Sequence, residues 1–327
     1  MTSRDKIAII ILTFNRFIDF QLALKSALMQ KEVPFHIFVF DNGSRKPVSG
    51  IIRKNPRVTY VRHAKNIGFA ANFKFSTNYV KNKGFKFSFL LGDDDIIAYS
   101  YVLRDLLTLM KKNKDIHVAR GGYVEFINKI PQFTRITIHD DGHYRKLSVL
   151  SEIDKALALH LTSYSGILFK NEMFEPYFCP FDDLITPLIT PLLKILTKKK
   201  FAFLPNKITM FIKIEHPQLA RDVYDENISN QDALEKSFKL LGKQYQRYVS
   251  LTELINYKIY SQNKKNVSKY YRECLNLHEG FKAIPYIIAF YVPVSVLRPL
   301  KNAYRSIVSF LVNQKIEDRH QYLVKEI

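Results

Sequence analysis

Three consecutive carboxylates, Asp93-Asp94-Asp95, end an apolar run that begins at Phe85. Adjacent carboxylates repel one another, so a fold that keeps them together supplies positive charge beside them. A hard divalent cation carrying a phosphate suits the pattern, because such ions take carboxylate oxygens and keep positions open for phosphate oxygens. The competing reading is a solvated acidic turn capping the next helix, where acids are favoured. A second pair, Asp182-Asp183, opens an apolar helical pattern running to Leu196, and its plain reading is again a helix cap. Other polar clusters are Thr13-Phe14-Asn15-Arg16, Asp41-Asn42-Gly43-Ser44, Asn66-Ile67-Gly68 with Asn72 beyond, and Glu215-His216-Pro217. Each has an ordinary reading: Asn15 or Ser44 as a cap, Asp41-Asn42-Gly43 as a turn, Gly68 as a helix entry, His216 as a structural or solvated histidine.

The elements between these clusters give them weight. Ile7 to Leu12 is an unbroken aliphatic run, as in a central parallel strand covered on both faces, and the Thr13 cluster follows it directly. Phe17 to Gln30 predicts an amphipathic helix with Phe20, Leu24, Ala27 and Leu28 inward. Phe35 to Phe40 predicts a second strand ending at Asp41. Val58 to Val61 predicts a third, leading through Arg62 and His63 to Asn66 and a helix from Ala70 to Val80. The Phe85 to Leu91 strand then delivers the acidic triplet. Strand, polar loop and helix in alternation predict a doubly wound α/β domain, in which ligands bind at the carboxyl ends of the strands. Thr13, Asp41, Asn66 and the triplet all fall on that edge, and the coincidence favours a site over a cap.

Further along, Tyr101 to Lys112 predicts a helix. Ile116 to Phe126 predicts a strand whose Gly121-Gly122 allows a bulge or a close approach to a ligand. A small polar loop at Ser165-Gly166 enters a strand ending at Lys170. Phe201 to Leu204 and Ile208 to Ile214 predict two more strands, the second leading to His216. Residues 128–145 carry no pattern that assigns them.

Composition bounds the possibilities. With 47% hydrophobic and 13% aromatic residues, the 327-residue chain buries a core, and a disordered chain is excluded. Fifty basic against 30 acidic side chains give a formal charge of +20, which attracts polyanions: nucleic acid, anionic lipid or a phosphorylated substrate. No arginine-rich arm or zinc-type spacing occurs, so nucleic acid is not expected as a partner. Cys179 and Cys274 form no redox or metal motif, and the first residues lack the apolar core of a signal peptide. A reduced, cytoplasmic protein is the expectation. Beyond residue 221 the sequence becomes helical, lysine- and tyrosine-rich, which divides the chain into a nucleotide-binding domain at 1–221 and a helical region at 222–327. Within that region Ala283 to Leu297 carries no charge. A helix of that length spans about 22 Å, short of the ~30 Å hydrocarbon core, and Pro285 and Pro293 interrupt it. Lys282, Arg298, Lys301 and Arg305 flank it, predicting peripheral contact with an anionic membrane at the inner face of the cell membrane. The alternative is a packed helix.

Taken together, residues 5–216 resemble the glycosyltransferase 2 family, the nucleotide-sugar-dependent enzymes of GT-A fold found in bacterial polysaccharide synthesis. The likeness rests on Ile-Leu-Thr-Phe-Asn-Arg at 11–16, Asp-Asn-Gly-Ser at 41–44, Asn-Ile-Gly-Phe-Ala-Ala-Asn at 66–72 and Gly-Asp-Asp-Asp at 92–95. It implies a GT-A type, mostly parallel sheet with a C-terminal helical extension. It also implies an inverting transfer from a nucleotide diphosphate sugar, a UDP-sugar first in line, to a glycan or lipid-linked oligosaccharide. On the family pattern Thr13, Asn15 and Arg16 line the nucleotide pocket, and Asp41 recognises the base. Asn66 and Gly68 lie near base and ribose, with Asn72 supporting their loop. The triplet matches the Asp-x-Asp motif, with Asp93 toward ribose or metal water, Asp94 on the nucleotide side, and Asp95 on Mn²⁺ or Mg²⁺. His216 falls where some members carry a metal or pyrophosphate ligand. Asp182-Asp183 resembles the family's acidic pair, with Asp183 as the base and Asp182 orienting the acceptor, an order the sequence leaves open.

Two other readings compete. A metal-dependent sugar nucleotidyltransferase predicts a glycine-rich loop after the first strand, and Thr13-Phe14-Asn15-Arg16 has no glycine. A non-catalytic basic module predicts salt-sensitive binding to membranes or nucleic acid without stabilisation by nucleotides.

Overall fold

The computed structural model describes residues 6–52, 54–112, 114–126, 133–137, 165–173, 200–213, 254–255, 258–259, 264–278 and 280–324. Its centre is β1 (Ile7–Thr13), whose seven residues are all buried, as the unbroken aliphatic run requires. β2 (Phe35–Asp41) and β4 (Phe87–Gly92) pair with it in parallel on either side, and β3 (Val58–Arg62) extends the parallel set beyond β2. The connections run through α1 (Phe17–Leu28), α2 (Ser49–Ile52) and α3 (Phe69–Asn82). α1 buries Phe20, Ala23, Leu24 and Ala27, one face at helical spacing, against the sheet.

Beyond β4 the sheet becomes mixed. Its order is β3-β2-β1-β4-β8-β6-β9-β5, with β7 (Phe133–Thr137) paired to β6. β8 (Ile167–Lys170) runs antiparallel to both β4 and β6 (Ile116–Phe126), so it inverts the direction only locally. β6 and β9 (Lys200–Lys213) are parallel, and the two-residue β5 (Ile96–Ile97) closes the edge antiparallel to β9. α4 (Val102–Lys112) joins β5 to β6 and buries Leu103, Leu106, Leu107 and Met110.

One detail differs from the sequence expectation. Phe201–Leu204 and Ile208–Lys213 belong to one strand, β9, not two, Ile214 lying outside the described residues. Pro205 and a left-handed Asn206 (φ 52°) make an irregularity that the ladder absorbs, the register jumping from Arg120↔Phe203 to Gly122↔Ile208. Gly121 lies in the irregularity that the glycine pair allowed, where the register against β9 shifts. It accommodates Thr209 on that strand, whose Cγ2 would lie 2.2 Å from an added Cβ.

The C-terminal helices are α5 (Lys264–Leu277), α6 (Ile284–Tyr291), α7 (Val294–Arg319) and α8 (Gln321–Val324). The uncharged 283–297 segment is thus not one helix but two, broken at Val292-Pro293, where a proline cannot continue the helix before it. Lys258 Nζ donates to the carbonyls of Ala289 (3.1 Å), Phe290 and Val292, satisfying the end of α6. α6 packs Tyr286 and Ala289 with Leu254 and Cys274 into a small cluster of their own. Val312 and Ile316 of α7 and Leu323 of α8 enter the main core, and the Ile208 amide donates to the Tyr322 hydroxyl at 2.7 Å.

Candidate functional site

Strand register alone brings the first group of residues together. Thr13 is the direct partner of Asp41, Leu12 of Gly92, and Asp41 of Arg62. The last residues of four parallel strands therefore form one row at the carboxyl edge of the sheet, the edge at which such sheets bind ligands. The acidic turn begins immediately after Gly92.

Asp93 and Asp95 are each 5% exposed. Arg16 is seated on the first two acids: its Nη1 donates to Asp93 Oδ1 at 3.2 Å and also to Asp94 Oδ2. The Phe14 amide donates to Asp93 Oδ2 at 3.4 Å. The Thr13 hydroxyl lies close enough to favour the charged form of Asp93 but makes no hydrogen bond of good geometry. Asp95 turns the other way, where its Oδ1 accepts from the Lys213 amide at 2.9 Å and Ser165 donates to the carboxylate. The Ser165 hydroxyl in turn accepts from the Gly92 amide at 2.6 Å. The lack of a side chain at Gly92 leaves room for these groups. An added Cβ would stand 2.6 Å from Asp95 Oδ2 and 3.0 Å from Ser165 Oγ.

Burial, reinforced by the Asp94 charge, pushes Asp93 up to about 7 against the opposing pull of Arg16. Burial and Asp94 push Asp95 higher, to about 8. Two carboxyls held this far above the ordinary range are short of positive charge, the condition a bound cation relieves. The donor set also fits one. The ligands are hard carboxylate oxygens, and among the described residues no three carboxylate, imidazole or thiol groups converge on one point. Carboxylate oxygens of this kind suit a hard divalent ion, which would take phosphate oxygens as well.

The second half of the row is a network of buried polar groups. Asp41 is fully buried, its Oδ1 accepting from the Ser44 amide (2.8 Å) and its Oδ2 from the Tyr60 hydroxyl (2.6 Å), with Arg62 Nε at 3.8 Å. Burial and this carboxylate raise the Tyr60 pKa, so the phenol stays a donor. Asn15 adopts a left-handed conformation (φ 57°), its amide donating to Ser44 Oγ and its side chain accepting from the Arg45 amide, both at 2.9 Å. Asn66 and Gly68 sit exposed at the entry to α3, where Asn66 Oδ1 accepts from the Gly68 amide at 2.8 Å. Asn72, buried within α3, bonds His63 (3.0 Å) and the Phe40 carbonyl (3.3 Å), tying that helix to β2.

All the expected nucleotide-side residues thus share one edge. Asp182, Asp183 and His216 lie outside the described residues. Three further residues, to which the sequence pattern gives no individual role, hold the site together. Asn42 clips the two loops together, accepting from the Ile67 amide (2.9 Å) and donating to Asn66 Oδ1 (2.8 Å) and the Gly68 carbonyl (3.2 Å). Lys213 ties the triplet to α1, its Nζ donating to Asp19 at 2.7 Å while its amide holds Asp95. Arg120, 4% exposed on β6, is a buried cation whose field reaches Asp95; burial pulls its pKa down to about 10, leaving it charged at neutral pH. A lone arginine inside an apolar strand run was the available signal for it.

Comparison with known proteins now bears on the geometry. Residues 8–178, more than half of the chain, match the family model described as glycosyl transferase family 2. No curated protein matches the sequence. Among solved structures, S. aureus TarS 1–349 in complex with UDP superposes with a TM-score of 0.52 at 12% identity, over 91% of this chain and 92% of that one. The mannosyltransferase PcManGT from Pyrobaculum calidifontis, in complex with GDP-Man and Mn²⁺, gives 0.50 at 13% identity, over 96% of this chain and 88% of that one. At these identities the likeness is one of fold.

Proposed function

The chain belongs to glycosyl transferase family 2 and is a glycosyltransferase of GT-A fold, and from that premise we propose an inverting, metal-dependent transfer from a nucleotide diphosphate sugar to a hydroxyl of a surface glycan or lipid-linked oligosaccharide. The observation that carries this reading is the single row of Thr13, Asp41 and Gly92, with the acidic turn and Arg16 at its open end. UDP and GDP-Man with Mn²⁺ are the ligands of the two structural neighbours, which supports a nucleotide sugar and a divalent ion here.

In this reading Thr13, Asn15, Asn66 and Gly68 surround the nucleoside, with Asn72 and Asn42 holding their loops. The base lies beside Asp41, reaching its carboxylate when the Tyr60 hydroxyl moves aside. Arg16 meets the diphosphate. Asp93 and Asp95, with His216, would hold the ion, whose charge would offset that of the departing diphosphate. The acceptor oxygen forms its bond to the anomeric carbon as the bond to the diphosphate oxygen breaks. The hydroxyl proton passes to Asp183, and Asp182 orients the acceptor. The triplet serves the leaving-group side, and the later acidic pair takes the proton.

The testing experiment is a donor-hydrolysis screen over nucleotide sugars with Mn²⁺, which needs no knowledge of the acceptor. One donor should release its nucleoside diphosphate, and Asp183→Asn should abolish transfer with donor binding nearly intact. Near-wild-type turnover in Asp183→Asn would overturn the base assignment. The lipid-linked form of acceptor and a location at the inner membrane face are supported by the basic charge and the C-terminal apolar segment.

A further inference from the structure

Of the large apolar side chains exposed among the described residues, eleven lie between residues 281 and 311 and six in all the rest. They are arranged in stripes. On α7, Val296, Leu300, Tyr304, Ile307 and Leu311 follow one another at three- or four-residue steps and are 46–68% exposed. Val312 and Ile316, which project from the opposite side of the same helix, are buried in the main core. On α6 and the 3₁₀ turn before it, Phe281, Ile284, Ile288 and Tyr291 form a second stripe, with Phe281 90% exposed, while Tyr286 and Ala289 are buried behind it. Both helices therefore use one face to hold to the protein and turn an equally apolar face away from it. A solvated helix would carry charge there.

Charge selects the occupant. Residues 280–316 contain no aspartate or glutamate and five bases, Lys282, Arg298, Lys301, Arg305 and Lys315. Two copies of so one-sided a segment repel each other, whereas an anionic lipid surface is complementary to it. Among the described residues no single helix is long and apolar enough to cross a membrane, and α6 and α7 are bent by 112° at their junction. That geometry suits helices lying in the interface rather than spanning it.

We propose that α6 and α7 together are a monotopic docking surface for an anionic bilayer, with the α7 stripe from Val296 to Leu311 as its larger part. This reaches well beyond the uncharged 283–297 segment, and it does not depend on the transfer reaction, since docking needs neither donor nor acceptor. It would hold the catalytic domain where a lipid-linked acceptor is presented.

The chain has no tryptophan, so single introduced tryptophans report depth directly. The full-length protein is mixed with phosphatidylcholine vesicles containing about one third phosphatidylglycerol. Flotation with the vesicles is expected, weakened by salt. Ile288→Trp and Tyr304→Trp should shift emission to shorter wavelength and be quenched by lipids brominated in the acyl chain, while Lys74→Trp on α3 should do neither. The double variant Ile288→Glu, Leu300→Glu should lose vesicle affinity by at least about tenfold. If that variant fails to fold, the tryptophan reporters still decide. Absence of flotation at low salt would overturn the proposal, as would flotation with both reporters remaining in water. So would a chain that ignores vesicles and dimerises through this face, reverting to monomer with Leu300→Glu.

Discussion

Arg16 and Asp93 are 77 positions apart in the chain and 3.2 Å apart in the fold. The contact joins the loop after β1 to the turn after β4, and it places a guanidinium against Asp93 and Asp94. Charge-assisted bonds of this kind contribute roughly 1.5–3 kcal/mol. Because the proposed diphosphate occupies the same corner, Arg16→Ala should weaken nucleoside diphosphate binding by about ten- to a hundredfold, read by calorimetric titration. An unchanged affinity would remove Arg16 from the phosphate site.

The buried acids predict an unusual pH profile. Asp93 and Asp95 hold their protons to about 7 and about 8 in the folded chain, against 3.8 when unperturbed. Between those limits the folded state keeps protons that the unfolded state has released. Stability of the metal-free protein therefore falls as pH rises from about 4 towards 8, then levels off. Melting in chelator across this range should show the decline, and Asp95→Asn, which mimics the protonated group, should flatten it. A melting temperature that climbs across the window, or an equal slope in Asp95→Asn, would contradict the burial argument.

Gly92→Ala places a methyl group 2.6 Å from Asp95 Oδ2. Overpacking of this sort costs about 1–3 kcal/mol. Here the displaced atoms belong to the acidic turn, so metal-dependent nucleotide binding should fall more steeply than stability. Denaturation and titration on the same variant separate the two, and parallel losses would mean that Gly92 serves folding alone.

Asp41 has both oxygens engaged inside the fold. Asp41→Ala leaves the Ser44 amide and the Tyr60 hydroxyl without their acceptor, at about 1–3 kcal/mol for each buried donor. Tyr60→Phe takes one donor from the buried carboxylate and leaves the Ser44 amide bond in place, so it should cost about 1–3 kcal/mol, less than Asp41→Ala. Urea denaturation should rank the two in that order. Tyr60→Phe should leave nucleotide affinity undiminished, because the base reaches the carboxylate with that hydroxyl out of the way.

The parallel half of the fold was legible because it is written locally. Aliphatic runs such as Ile7–Leu12 mark doubly covered strands, and each ends in a short polar loop, so Thr13, Asp41 and the triplet could be set on one edge without knowing the strand order. What the chain does after β4 depends on pairing between distant segments. Nothing near Ser165 announces its hydrogen bonds with Gly92 and Asp95, and nothing near Lys213 announces that its backbone N–H donates to Asp95. The apolar run breaks after Leu204, yet the β6 ladder carries the chain past Pro205. Pro293 was visible as an interruption, but the outward stripe on α7 could be recognised only once Val312 and Ile316 were known to face the core.

The most direct test of the central claim is titration of UDP and GDP into the protein with and without Mn²⁺, repeated with Asp95→Ala. The account predicts that one of the two nucleotides binds at least about tenfold more tightly with the ion, and that Asp95→Ala abolishes the difference while the fold survives. Equal binding with and without Mn²⁺ in the unaltered chain, or binding of neither nucleotide, would contradict it.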